Sequence, residues 1–401
     1  MVDFLSPPTH EQALALIADH TATVGKEFVS LDDGWQRVTA AEVRAAFPEP
    51  GYDQSLRDGF VIGKSTQDVI NGRCSYQIIG EIPAGRCGLI EVSPGEAYRI
   101  MTGGMVPVGA ERVVQQEDCF YTGNTVEVPS AALNLQSRYI QRKGSFIPQS
   151  SPVVARGTSL GPREIGLLAT TGNHRIEVHR KVSVSFFCTG NELVSIHDSI
   201  APGQKVSSNR YLLNTLIKGQ QAISVDCGVV QDSKQKVREL LYEIGRSTTD
   251  IIISTGGMGP GKYDLLETLF EEMGGKAIYR SIAMRPGQST LFGILAGKLY
   301  FGLPGPPSAV AVLFNELVLP SLKKMQGQSE YLNRDIKAVL DHDISCGICR
   351  SLLIRPGVLF SRDHVNHVRQ VDKREFSNCI IFLKEGHPHY QKGDILTVHK
   401  L

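Results

Sequence analysis

Three successive isoleucines, Ile251, Ile252 and Ile253, run directly into a glycine-rich turn, and this junction restricts the fold of the 401-residue chain more than any other feature. The stretch reads DIIISTGGMGPGKYDLLETLFEEMGG. A short, continuously apolar run suits a strand buried on both faces, as in a parallel sheet covered by helices. Gly256, Gly257, Gly259 and Gly261 let backbone N–H groups approach a ligand closely. The helix that follows offers a partial positive charge at its N-terminus, so strand, turn and helix together make a phosphate-type anion site. The P-loop spacing G-x-x-x-x-G-K is met from Gly256 to Lys262, but Tyr263 stands where that loop needs Ser or Thr to reach magnesium. The simpler structural role is a strand-to-helix turn that holds no ligand.

The flanking sequence repeats the alternation. KVSVSFF, AISVDCGVV and KLYFG read as strands. Residues 207–218, SKQKVRELLYEIG, DLLETLFEEMGG and PPSAVAVLFNELVLPSL read as helices, the third stopped by two glycines and the last opened by proline. Such alternation implies an open parallel α/β sheet with ligands at the carboxyl ends of its strands. Elsewhere the texture differs. HEQALALIADH (10–20), TAAEVRAA (39–46) and GPREIGLLATTG read as short helices with an apolar stripe. From about 50 to 140, and again from about 326 to the end, short β-prone runs alternate with Gly and Pro.

Composition excludes some functions. Lys plus Arg number 42 against 41 Asp plus Glu, so no basic excess points to nucleic acid or an anionic membrane surface. No apolar run approaches the roughly 18 residues that span a bilayer. MVDFLSPPTHEQ lacks a basic region followed by an apolar stretch, so a cytoplasmic location is expected. The eight cysteines are too sparse for a disulfide framework. Cys346 and Cys349 form a C-x-x-C near Cys379, His364, His367, His387 and His389, a set from which a zinc site can be built. Without a second close pair, small apolar residues in a β-rich tail are the simpler reading.

The glycine turn, T-G-G-x-G-x-x-x-x-D, resembles the molybdopterin-binding loop shared by molybdopterin adenylyltransferases and molybdenumtransferases. Further motifs follow the molybdenumtransferase order. DQSLRDGFV from Asp53, RIMTGGMVP from Arg99 with Val113, Val114 and Glu117, CTGNEL from Cys188, and Ser208-Asn209-Arg210 resemble that family's stretches in sequence. So do MRPGQSTLFG from Met284 and GLPGPPS from Gly302. The chain therefore resembles the molybdopterin molybdenumtransferase family over nearly its whole length. The resemblance implies a multi-domain α/β protein. It comprises a discontinuous helical linking domain (1–50 plus 140–178), a β-rich insertion (51–139), a molybdopterin-binding α/β domain (179–325) and a C-terminal β-barrel (326–401). It also implies a homodimer whose active site is shared between the α/β domain of one chain and the β-rich insertion of the other. Molybdopterin adenylyltransferase and molybdoenzyme-specific factors are further implied partners.

The family reaction takes adenylylated molybdopterin and molybdate, places molybdenum on the dithiolene and releases AMP. Charge builds on phosphate oxygens as the phosphoanhydride breaks, so magnesium on carboxylates is implied. The matching catalytic positions are Asp58, Thr102, Glu192, Asp232 and Arg285, with Asp58, Asp232 and Asp264 as magnesium ligands. Molybdopterin would be held by Ser254, Thr255, Gly256, Gly257, Gly259, Asp264, Pro304, Pro307 and Ser308. Arg285 can clasp an oxyanion bidentately, and Arg350 and Arg355 approximate a family basic pair. Each has a simpler role beside it: Asp58 and Thr102 as turn residues, Glu192 as a solvated carboxylate, Asp264 as a helix cap, and G-L-P-G-P-P as a rigid turn. Polar family positions are replaced by Asn191, Gln288, Pro306, Ser145 and Phe146. These departures leave a second reading open, a molybdopterin-binding carrier or scaffold without turnover.

Overall fold

The computed structural model describes residues 6–66, 68–85, 88, 90–257, 265–347, 351–372 and 375–401. A six-stranded sheet occupies its centre, in spatial order Ile223–Val230, Ser183–Thr189, Ile251–Thr255, Lys298–Leu303, Leu291–Leu295 and Lys276–Tyr279. The first four strands are parallel and the last two run antiparallel to their neighbours, so the sheet is mixed rather than wholly parallel. The cause is a hairpin absent from the sequence reading. Ala296 and Gly297 both take positive φ, the geometry of a two-residue turn, and fold Leu291–Leu295 back on Lys298–Leu303.

Every residue of Ser183–Thr189 and of Ile251–Thr255 is buried, because helices cover both faces. Alternation sorts the side chains. Phe186, Ile253 and Phe301 pack with Leu213, Ile217, Val310 and Leu313 on one face. Phe187, Ile252 and Tyr300 pack with Val237, Leu241, Leu269 and Phe270 on the other. The helix His10–Asp19 starts with a capping box, in which the Thr9 hydroxyl accepts from the Gln12 N–H and the Gln12 side chain accepts from the Thr9 N–H. Its Ala13 and Ile17 join the first cluster. The helix read over 39–46 does not form. Val43–Arg44 instead pairs with Pro152–Val154, and the N–H groups of Ala45 and Ala46 donate to Ser151 and Thr171 carbonyls. Those donors are spent on segments far along the chain, and Pro48 and Pro50 bar a helix from continuing.

The insertion is a separate six-stranded sheet, ordered Arg112–Gln115, Gly59–Ile62, Glu96–Ile100, Arg73–Ile82, Thr125–Pro129 and Phe120–Thr122. The C-terminal strands Leu352–Arg362, Val365–Gln370, Ile336–Leu340, Ile395–Lys400 and Cys379–Leu383 pair in a ring and close a five-stranded barrel, which leaves no open edge. Cys379 packs inside that barrel, while the Cys346 thiol donates to the carbonyls of His387 and Pro388. Cys349 and Arg350 lie outside the described residues. Among the described residues no three His, Cys, Asp or Glu gather into a metal site, and no helix is long and apolar enough to cross a membrane.

One buried carboxylate joins three parts of the chain. Glu316, 1 % exposed, sits in a π-helical turn, Phe314–Val318, within the last helix of the α/β unit. It is contacted by His10 at 3.3 Å, by Asn315 Nδ2 at 2.8 Å, by Asn333 Nδ2 at 3.2 Å and by His399 Nδ1 at 2.9 Å. His399 Nε2 lies 2.9 Å from Asp335. Both ring nitrogens of His399 face carboxylates, which only an imidazolium satisfies. Burial opposes ionisation of Glu316, but the hydrogen bonds and charges of His10 and His399 prevail and hold its pKa at about 2. Burial likewise pushes the His399 pKa down, and Glu316 and Asp335 more than reverse this, raising it above 6.5.

The sign of each shift sets a pH window. The Glu316 contribution is present above about 4.5 and lost as pH falls toward about 2. The His399 contribution is full below 6.5 and lost as pH rises through its raised folded value. His399→Leu leaves a buried carboxylate underpaired and is expected to cost about 3–5 kcal/mol in urea unfolding at pH 6. The wild type should lose stability as pH climbs past 6.5, and the gap to the variant should narrow. A constant gap across that range would show that His399 is not charged in the fold.

Candidate active site

The carboxyl ends of the parallel strands open on a cavity of about 650 Å³. Each strand delivers a loop to it. Thr255, Gly256 and Gly257 follow the central strand, and Thr189, Gly190 and Glu192 follow its neighbour. Asp232 follows Ile223–Val230, and Pro304, Gly305, Pro306 and Pro307 follow Lys298–Leu303. Gly256 has φ +88°, and a Cβ there would lie 2.4 Å from the Thr189 carbonyl oxygen, so only glycine lets the two loops approach. The Gly256 N–H donates to the Leu303 carbonyl at 3.2 Å. Asn209 donates to the Gly305 carbonyl at 2.8 Å and to Thr255 Oγ1 at 3.3 Å, which ties the glycine turn to the proline loop.

Two acids face this cavity from fixed positions. Asp232 and Asn191 bond reciprocally: the Asn191 N–H donates to Asp232 Oδ2 at 3.2 Å, and the Asp232 N–H to Asn191 Oδ1 at 3.1 Å. Glu192 pairs with Lys205 at 3.0 Å. Partial burial raises the Glu192 pKa, but Lys205 outweighs this and the net shift is downward. The helix Ser208–Gly219 begins at the cavity wall and directs its N-terminal dipole toward it.

A second cavity, of about 620 Å³, adjoins the first across Pro306, which lines both. Its walls combine Arg285, Gln288 and Ser308 with Arg355 and Cys346 near the barrel. Met284–Arg285 pairs with Leu352–Arg362, and this ladder brings the two arginines to one chamber.

Of the residues singled out in the sequence, Glu192, Asp232, Thr255, Gly256, Gly257, Pro304 and Pro307 meet at the first cavity. Arg285 and Ser308 open on the second cavity instead. Ser254 reaches neither. Strand alternation turns it into the sheet, where its hydroxyl bonds to the Tyr300 hydroxyl at 2.8 Å. Asp58 and Thr102 stand apart in the insertion. Asp58 Oδ1 accepts from the Thr102 N–H at 2.6 Å and from its hydroxyl at 2.8 Å. Those two bonds hold Asp58 below the usual carboxylate range. Gly259, Lys262 and Asp264 lie outside the described residues. Sequence reasoning missed Lys205 and Ser207 as cavity residues. Lys205 meets Glu192 because Leu193 pairs with Lys205 in a short parallel ladder, a register that spacing along the chain does not reveal.

A mixed sheet with glycine and proline loops at its strand ends, an insertion sheet and a closed barrel define a multi-domain α/β protein with a ligand cavity at the carboxyl ends of its parallel strands. Residues 9–172 match the family model described as the MoeA N-terminal region (domain I and II), and residues 185–324 match the probable molybdopterin binding domain. A molybdopterin molybdenumtransferase from Nostoc sp. is 31% identical over 324 residues, covering 79% of this chain and 73% of the relative. One from Staphylococcus epidermidis is 28% identical over 407 residues, covering 99% and 96%. The crystal structure of the molybdopterin biosynthesis moeA protein from Pyrococcus horikoshii superposes with a TM-score of 0.82 at 24% identity, covering 98% of this chain and 99% of that one. The chain belongs to the molybdopterin molybdenumtransferase family, a transferase family of molybdenum cofactor biosynthesis.

Gly257 tests the glycine turn. Its φ is +62°, and an added Cβ would stand 3.2 Å from Thr189 Oγ1 and 3.3 Å from Leu266 Cγ. A β-branched side chain there forces the turn to shift, at a backbone cost of roughly 1–2 kcal/mol. Gly257→Val is expected to fold and to bind molybdopterin at least about tenfold more weakly in calorimetry. Unchanged affinity in a folded variant would mean the turn does not touch the ligand.

Proposed function

We propose that this chain inserts molybdate into adenylylated molybdopterin, leaving molybdenum on the dithiolene and releasing AMP. The observation that carries this reading is the pair of cavities sharing Pro306. One offers a glycine turn beside two carboxylates, which would hold a phosphate through a bridging magnesium ion. The other offers Arg285, Arg355 and the Ser308 hydroxyl, donors suited to a tetrahedral oxyanion. The two substrates would be held in adjoining chambers that share Pro306.

Magnesium commonly takes one or two protein carboxylates and completes its shell with phosphate oxygens and water. Asp232 and Glu192 suit that demand, as hard donors beside the glycine turn. Magnesium held there would neutralise charge on the phosphoanhydride as it breaks. Asn191 fixes the Asp232 loop, and Lys205 orients Glu192. Asp58 and Thr102 would reach the cavity from a second copy of the chain, so the active species would be a homodimer. Molybdopterin adenylyltransferase and molybdoenzyme-specific factors would be its donors and recipients.

The test is AMP release from adenylylated molybdopterin, which should require both molybdate and magnesium. Asp58→Asn and Asp232→Asn are each expected to lower the rate on the order of a hundredfold. Mixed and allowed to exchange subunits, the two variants should regain activity, because one site of a mixed dimer unites both intact residues. No recovery from a mixture would refute a shared site. Molybdopterin bound by the wild type with no AMP released under any of these conditions would make the chain a carrier.

Molybdate is a dianion, and a partly desolvated site for it needs donors and positive charge. Gln288 presents a neutral amide on the wall that also holds Arg285. A charge-assisted hydrogen bond contributes on the order of 1.5–3 kcal/mol, so Gln288→Lys should tighten molybdate binding about ten- to a hundredfold in calorimetry. Unaltered molybdate affinity would place the oxyanion elsewhere.

A further inference from the structure

A third cavity, of about 850 Å³, opens where the α/β unit passes into the barrel, and it shares no lining residue with the first two. Three parts of the chain enclose it. The last helix of the α/β unit, Leu319–Met325, contributes Lys323, and the connecting segment contributes Leu332 and Arg334. The barrel contributes Ile336, Leu359 and Lys400. Ile336 and Leu359 also pack against the cluster inside the barrel, so the floor of this cavity is an apolar end of the barrel. The strand Leu352–Arg362 lines the second cavity with Arg355 and the third with Leu359, which sets the two apart along one element.

The cations of this region are unequally committed. Lys324 donates to the Ala18 carbonyl at 2.6 Å and lies over the Tyr331 ring, and Lys337 donates to Thr397 Oγ1 at 2.7 Å. Arg334 pairs with Glu330 at 3.0 Å on the exposed rim. Lys323 and Lys400, by contrast, make no side-chain hydrogen bond or ion pair among the described residues. Lys323 is half-buried. Burial lowers its pKa, and the charge of Glu316 offsets this only in part. An ammonium partly withdrawn from water without an acceptor is costly, and a bound anion removes that cost. Glu330 on the same rim repels a polyanion, so a single negative charge suits the cavity best. The apolar floor, with Leu332 left 51 % exposed in the same wall, offers area that an inorganic anion would leave uncovered.

We propose that this cavity binds a small organic acid, its carboxylate held by Lys323 with Lys400 adding positive charge, and its aliphatic or aromatic body covering Leu332, Ile336 and Leu359. Such a ligand bridges the last helix of the α/β unit, the connecting segment and the barrel. The site is independent of the molybdopterin reading, because it uses none of the residues assigned to that chemistry.

The test compares ligands as well as variants, on the full chain. Phenylacetate, hexanoate, the neutral phenylacetamide and inorganic phosphate would be titrated by calorimetry and by methyl NMR of Leu332, Ile336 and Leu359. At least one of the two carboxylates should bind once per chain with a Kd of about 1 mM or tighter and shift those methyl signals. The amide and phosphate should each bind at least about tenfold more weakly. Lys323→Gln should weaken the carboxylate about tenfold or more, and Leu332→Ser about three- to tenfold. Lys276→Gln, an exposed lysine on the edge strand of the central sheet, should leave it unchanged. No saturable binding of either carboxylate below about 10 mM would overturn the proposal. So would undiminished affinity in a folded Lys323→Gln variant, or phosphate bound as tightly as the carboxylates. Shifts confined to Leu353 and Ile354 would place the anion in the second cavity and overturn it equally.

Discussion

A carboxylate removed from water must be surrounded by donors, and Glu316 meets that requirement with residues from both ends of the chain. His10 comes from the first helix and His399 from the last strand of the barrel. The π-helical turn is part of the same arrangement. Its five residues, Phe314–Val318, are all buried, with Phe314, Leu317 and Val318 in the main apolar cluster and Asn315 and Glu316 in the polar junction. A helical run that must bury both kinds of residue has no single apolar stripe, and the wider turn redistributes them. Removing the junction would leave the barrel attached through the Met284–Arg285 ladder and through Ile354, Ile380 and Phe382 in the main cluster. The barrel wall of the second cavity is thus positioned from two sides.

The first cavity rests on a smaller constraint of the same type. Parallel strands bring their carboxyl ends together, but their loops remain separate until something joins them. Asn209 does so with one amide, bonding to Thr255 and Gly305. Gly256 permits the close approach to Thr189 that makes this reach possible. The proline loop stiffens the other side, and because Pro306 lines both cavities, its placement sets the position of each relative to the other. Chemistry between ligands held in two adjoining cavities depends on such placement, since little rate is gained unless the reacting groups are held close.

How much of this was legible in the sequence follows from the range of the interactions. Ile251–Thr255 was readable because continuous burial leaves a continuous apolar run, and the glycine turn because positive φ selects glycine. The antiparallel strand Leu291–Leu295 was hidden beneath a motif read for its function, and its turn begins with Ala296, a residue that seldom marks positive φ. TAAEVRAA has helical composition, yet its N–H groups answer to Ser151 and Thr171, far along the chain. Asp232 and Glu192 could be named as cavity acids, but their partners Asn191 and Lys205 depend on register and loop packing. Ser254 turns to Tyr300 rather than to the cavity, which a motif does not reveal because it lists residues without saying which side of a strand each one faces.

The family departures acquire physical content from the same contacts. Asn191 replaces an acid, yet its Oδ1 accepts from the Asp232 N–H as a carboxylate oxygen would, so geometry is kept while one negative charge leaves the cavity mouth. Pro306 gives up a side-chain amide and offers no N–H, leaving a rigid wall where a polar handle would stand. Ser145 and Phe146 remove two acids beside Arg142, whose guanidinium bonds to Asp53 at 2.5 Å, while Phe146 projects into solvent. Gln288 removes a cation from the second cavity. The losses are of both signs and fall in different places: acids near the first cavity and the insertion, a cation near the second. Giving up one negative charge at the first cavity and one positive charge at the second lowers the field between the two chambers. Positioning then falls more to the rigid and neutral parts of the walls, the proline loop and the Asn209 bridge that ties it to the glycine turn.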